Sequence, residues 1–259
     1  MTRTDDFSKL ENMHSSAMKA YLKTLVLMNY SVNTVKNYRN HFQAFLAEHK
    51  EYRPSEITKN QVLKYLHNAA VKKAGASEMN QKVNAIKFFY EKVMNRPKQV
   101  YDLPRAKKPF QLPGIFSENE VRAILETAEN LKHKCILCVA YAGGLRVSEI
   151  VSLKLADIDS GRMVINIRQS KGRKDRIVML SGKLLSVMRE YYKAYRPKEY
   201  LFEGQHGGRY SARSIQELLK NIKRKAGVTK KGSVHAMRHS FATHLLEGGT
   251  DILSIKKLL

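Results

Sequence analysis

Apolar side chains in the first part of the chain return at helical spacing. Met18, Tyr21, Leu22 and Leu25 fall at i, i+3, i+4 and i+7. Ser31 and Thr34 then offer capping side chains ahead of Val35, Tyr38, Phe42, Phe45 and Leu46. Thr58 precedes a third stripe of Val62, Tyr65 and Leu66, and Met79, Val83, Ile86, Tyr90 and Val93 make a fourth. The pattern predicts a four-helix N-terminal domain over residues 1–96.

The periodicity fails from residue 97 to 113, RPKQVYDLPRAKKPFQLP with its preceding arginine. Prolines 97, 104, 109 and 113 exclude helix interiors, so an extended linker is expected. Arg96, Lys98, Arg105, Lys107 and Lys108 make it basic. Such a tether suits a protein that closes on a duplex, and equally a plain solvated linker.

A second domain is expected over residues 114–259. Ser117 and Glu120 have capping-box spacing ahead of Val121, Ile124 and Leu125. A largely apolar helix runs from Leu131 to about Ala142 and breaks at Gly143-Gly144. Met163–Ile167 and Arg176–Leu180 alternate as two strands around a polar turn, Gln169–Asp175. Helices return near 181–195, 211–226, 235–247 and 251–259. The fold class is therefore mainly α, with one small antiparallel hairpin.

Charge adds a partner to this picture. Forty-seven Lys and Arg against 23 Asp and Glu leave a net charge of +24. Folding does not require that excess, and like charges repel in a compact state. A polyanion relieves it, and nucleic acid is the commonest one. An anionic membrane is disfavoured, because no apolar run reaches 18 residues and no lipidation signal is present. The start, MTRTDDF, lacks the apolar core of a secretion signal, so a cytoplasmic, nucleoid-associated protein is expected. Cys135 and Cys138 form a C-x-x-C pair without a second Cys/His pair at metal-binding spacing. Their apolar flanks read as buried helix, so both are expected to be structural, and neither metal nor cofactor is called for.

Four basic residues stand out by setting. Arg146 lies where a helix restarts after two glycines, and Lys171 in the tip of the hairpin. His235 and Arg238 are three apart, on one face of a helical turn. Two arginines, a lysine and a histidine suit a phosphodiester. Arginine offers paired planar donors that do not titrate, and lysine or histidine can move a proton. Taken singly, each has an ordinary alternative: Arg146 pairing with Glu149 or Glu120, Lys171 as a turn lysine, His235 and Arg238 as helix-surface groups.

Together these segments resemble the tyrosine recombinases of the phage-integrase family. AYAGGLRVSEIVSLKLADID is similar to the family's first arginine box, SKGRKDRIVML to its lysine hairpin, and HAMRHSFATHLLEGGTDILSIKKLL to its His-x-x-Arg box. The N-terminal helices resemble its SAM-like core-binding domain. The resemblance implies that Arg146 and Arg238 clamp the scissile phosphate, Lys171 protonates the departing 5′ oxygen, and His235 assists at the phosphate. Glu149 is implied as an orienting group, and His239 and His244 as packing or surface residues. It further implies a tyrosine nucleophile, a 3′-phosphotyrosyl intermediate, no metal or ATP, no small-molecule substrate, and a homotetramer on DNA.

One departure stands out. The family continues past the last Leu-Leu with Gly-His and then the nucleophilic tyrosine, whereas none of the 13 tyrosines here follows Arg238. The expectation is a C-terminally truncated recombinase that binds DNA without cleaving it. The alternatives are a type IB topoisomerase or telomere resolvase, which share the cationic chemistry, and a non-catalytic DNA-binding regulator or remnant.

Overall fold

The computed structural model describes residues 3–97, 103–107, 114–168 and 175–258, with side chains from Met13 onward apart from Lys257. Two units divide the chain, Met1–Phe110 and Gln111–Leu259, each around its own apolar core.

In the first unit the four stripes become α1 (Arg3–Leu27), α2 (Val32–Glu48), α3 (Lys59–Val71) and α4 (Ala76–Phe88). Ser31 caps α2 by accepting from the Thr34 N–H, and Thr58 caps α3 in a reciprocal box with Gln61. The fourth stripe does not stay α-helical to Val93. Its last turn, Phe89–Val93, widens to a π turn that buries Phe89 and Tyr90 together. Tyr21 stacks on Phe42 at 4.2 Å, and Phe42 lies 4.6 Å from Phe89. The phenols in this core are satisfied, since Tyr21 donates to the Ala85 carbonyl and Tyr90 to the Pro54 carbonyl, both at 3.0 Å.

Part of the proline-bearing stretch is laid against this unit. Leu103 is buried in its core, Asn80 donates to the Ala106 carbonyl, and Arg105 to the Asn84 side chain. Arg96 donates to the Ser55 carbonyl and covers the Tyr90 ring. These residues are therefore fastened rather than extended as free tether. Residues 98–102 and 108–113 of the expected linker lie outside the described residues.

The second unit opens with α5 (Glu118–Glu126), and both hydrogen bonds of the Ser117–Glu120 capping box form. α6 (Leu131–Ala142) is the central helix, with Cys135, Ile136, Leu137, Val139 and Ala140 buried. After the glycine break come α7 (Val147–Ser152) and a 3-10 turn. The expected hairpin is the larger part of a three-stranded antiparallel sheet in the order β1 (Ile158–Asp159), β2 (Val164–Ile167) and β3 (Arg176–Met179). β2 and β3 pair from Val164–Met179 to Ile167–Arg176, so their open end leads to residues 168–175. α8 (Gly182–Tyr195), α9 (Ala212–Lys225), α10 (Val234–Glu247) and α11 (Ile252–Leu258) complete the unit. Cys135 is buried and Cys138 half-buried, and burial raises both thiols above their usual range. Among the described residues no helix is long and apolar enough to cross a membrane.

Candidate active site

The site is built at three element ends in the second unit. Gly144 takes a left-handed φ of 55°, which a side chain would resist, and this turns the chain sharply from α6 into α7. The turn makes Arg146 the residue just before the first turn of α7, and it presents the Gly144 carbonyl to Arg238, whose Nη1 donates to it at 2.5 Å. α10 is started by Ser233, which places His235 and Arg238 in its first two turns. Arg238 is 7 % exposed.

Glu149 is the carboxylate on which these groups meet, and it is only 5 % exposed. Its Oε1 receives Arg146 Nη1 at 2.7 Å, and its Oε2 receives the Arg146 backbone N–H at 2.8 Å. Arg238 Nη1 stands 3.9 Å from Oε2. Arg176, at the start of β3, grips both oxygens, with Nη1 at 2.5 Å and Nη2 at 2.9 Å. A buried carboxylate needs such compensation, and several guanidiniums this close need a carboxylate among them. Arg146, Arg176, Arg238 and Glu149 sum to +2, so the cluster retains positive potential for an outside anion.

The electrostatics follow from this crowding. Burial first, then Arg146 and Arg176, pull the Arg238 guanidinium down to about 10, which leaves it charged at neutral pH. Partial desolvation holds His235 below the usual imidazole value, helped by His239, Arg238 and Arg146. These neighbours favour the neutral imidazole over the charged one.

Of the four residues singled out from the sequence, Arg146, His235 and Arg238 come together, and Lys171 lies outside the described residues. The ordinary partner for Arg146 is present too. It pairs with Glu149, while Glu120 takes Lys230 instead, at 2.8 Å. His244 packs as expected, its Nδ1 bonded to the Tyr141 hydroxyl at 2.8 Å, and His239 is exposed beside His235, 5.5 Å away.

Two residues of the site escaped the sequence reading. Ser240 is fully buried, accepting the Phe116 N–H at 2.7 Å and donating to the Ala236 carbonyl at 2.8 Å, which ties α10 to the segment before α5. Arg176 carried a signal: strand alternation from the buried Val178 turns it inward, and an inward arginine requires an acid.

Comparison with known proteins gives this arrangement a family. The model of the phage integrase family matches residues 115–259, and that of the phage-integrase N-terminal SAM-like domain matches residues 11–99. The chain belongs to this family, the tyrosine recombinases, which are site-specific DNA recombinases. It is 39 % identical over 236 residues to a putative integrase/recombinase, y4qK, of Sinorhizobium fredii, covering 89 % of this chain and 76 % of the relative. It is 33 % identical over 255 residues to the tyrosine recombinase XerA of Pyrococcus horikoshii, covering 96 % and 86 %. A lambda integrase tetramer bound to a Holliday junction shares the fold, with a TM-score of 0.78 over 95 % of this chain and 73 % of that one at 16 % identity.

Proposed function

We propose that this chain binds duplex DNA and that its second unit holds one backbone phosphate at Arg146, Arg238 and His235 for strand exchange. The observation that carries this reading is the convergence of Arg146 and Arg238 on one buried carboxylate, with His235 on the same helix as Arg238. Their donors suit the non-bridging oxygens of a phosphodiester, and fixed guanidiniums favour the more highly charged pentacoordinate transition state over the ground state. Lys171 protonates the departing 5′ oxygen from the hairpin tip, and His235 hydrogen-bonds the phosphate. The nucleophile is a tyrosine that residues 1–259 do not place after Arg238. The 3′-phosphotyrosyl bond it forms conserves the energy needed for rejoining. The helices of residues 1–96 serve as the core-binding domain and residues 114–259 as the catalytic domain, with the basic stretch 97–113 between them, part of it packed on the first unit. Assembly as a homotetramer on DNA follows the lambda integrase tetramer that shares this fold.

The test is fluorescence anisotropy of a labelled duplex against the polypeptide 1–259 across a salt series. Affinity should fall by several orders of magnitude between 50 and 200 mM salt if roughly six or more phosphates are contacted. Arg146→Ala and Arg238→Ala should each weaken binding about tenfold, the loss of one charge-assisted contact. No SDS-stable adduct should form with residues 1–259 alone, whereas a version extended by a tyrosine-bearing tail should form one. Salt-independent binding, or full affinity in both arginine variants, would overturn the proposal.

A further inference from the structure

Arg176 holds both oxygens of Glu149 with its side chain, yet the phosphate-binding set does not include it. Its side chain is 14 % exposed against 27 % for Arg146, so it is the more buried of the two arginines bonded to that carboxylate. Its planar fork meets both oxygens, an arrangement one ammonium group cannot reproduce. It also opens β3, paired opposite Ile167 of β2.

We propose that Arg176 is a positioning residue: it fixes the Glu149 carboxylate, and through it sets where the Arg146 guanidinium stands. A carboxylate held by Arg146 alone would draw that guanidinium inward and neutralise most of its charge. With Arg176 on both oxygens and Arg238 3.9 Å away, the single negative charge of Glu149 is shared among three guanidiniums. Arg146 then keeps both its orientation and much of its field for an external phosphate. The same bonds moor the start of β3 to α7. This inference rests on the reading of Arg146 as a phosphate ligand.

A double-mutant cycle on duplex affinity tests it, with the polypeptide 1–259 and all variants compared where far-UV circular dichroism shows them folded. Arg176→Met should weaken binding about tenfold, a coupling typical of groups in one charged network. In a Glu149→Gln background the same change should have almost no further effect, because the group it acts through is gone. Arg176→Lys restores the charge but not the fork, so it should recover only part of the loss. Additive losses in the cycle would make Arg176 an independent DNA contact, and unchanged affinity in Arg176→Met would leave it no role; either result overturns the proposal. Should Glu149→Gln fail to fold, Glu149→Asp, which withdraws the carboxylate by one methylene, serves on that side of the cycle. Failure of the underlying reading is separable, since Arg146→Ala would then bind as tightly as the parent.

Discussion

Removing the Ser240 hydroxyl should loosen the helix that carries His235 and Arg238. In Ser240→Ala the Phe116 N–H, buried and bonded to Ser240 Oγ at 2.7 Å, loses its acceptor. A buried backbone donor left unsatisfied costs about 1–3 kcal/mol. The Ala236 carbonyl loses only a second bond, and alanine's better helix propensity returns up to about 0.5 kcal/mol. The net expectation is about 1–2 kcal/mol. For a unit of about 150 residues that corresponds to roughly 2–8 °C in Tm. Thermal melts report the global effect, and hydrogen exchange at the Phe116 amide reports the local one. Ser240→Cys, of similar size and with a weak acceptor, should fall between the two. A Tm change under about 1 °C with the Phe116 amide still protected would mean that this N–H finds another partner, and the tie between α10 and the segment before α5 would be refuted.

The remaining expectations address charge, caps and thiols. Because His235 is held below the usual imidazole value, the folded chain takes up its proton less readily than the unfolded chain does. Stability from this group is therefore complete above the unfolded value of about 6.5 and declines as pH falls through it toward the folded value. A bound phosphate favours the imidazolium, so duplex affinity should instead rise from pH 8 to pH 6; anisotropy should show that rise flattened in His235→Gln. Thr58→Ala removes the α3 capping box and should lower stability by about 1 kcal/mol in urea titrations. Burial raises both thiols, so Cys135 and Cys138 should resist a thiol reagent in the native state and react promptly once the chain unfolds.

Much of this architecture is legible from spacing alone, and the failures have physical causes. The stripes of α1–α4 and the Ser117–Glu120 box are local signals, set by residues within a few positions of each other. β1 has only two residues, too few for alternation to register, and it exists because β2 supplies its partners. The π turn after α4 follows from packing Phe89 and Tyr90 into one core, which helical spacing by itself does not foretell. At the site, Arg146, His235 and Arg238 are marked by their motifs. The hub is harder to see, because Glu149 draws Arg176 from 27 positions away and Ser240 reaches Phe116 across 124. Partners that distant leave no periodic trace; only an inward-facing polar residue hints that one must exist.

The aromatic core of the first unit has a practical consequence for watching the protein work. The chain has 13 tyrosines and no tryptophan. Tyr21, clamped against Phe42 and bonded through its hydroxyl to Ala85, sits in a rigid chiral setting. With Tyr90, likewise buried and bonded, it should give that half of the molecule a near-ultraviolet dichroism that is lost on unfolding. A tryptophan placed at the exposed Tyr195 of α8 would then give the second unit an emission band of its own. Excited beyond the tyrosine band, that emission would follow melting or DNA engagement of the second unit without a contribution from the tyrosines.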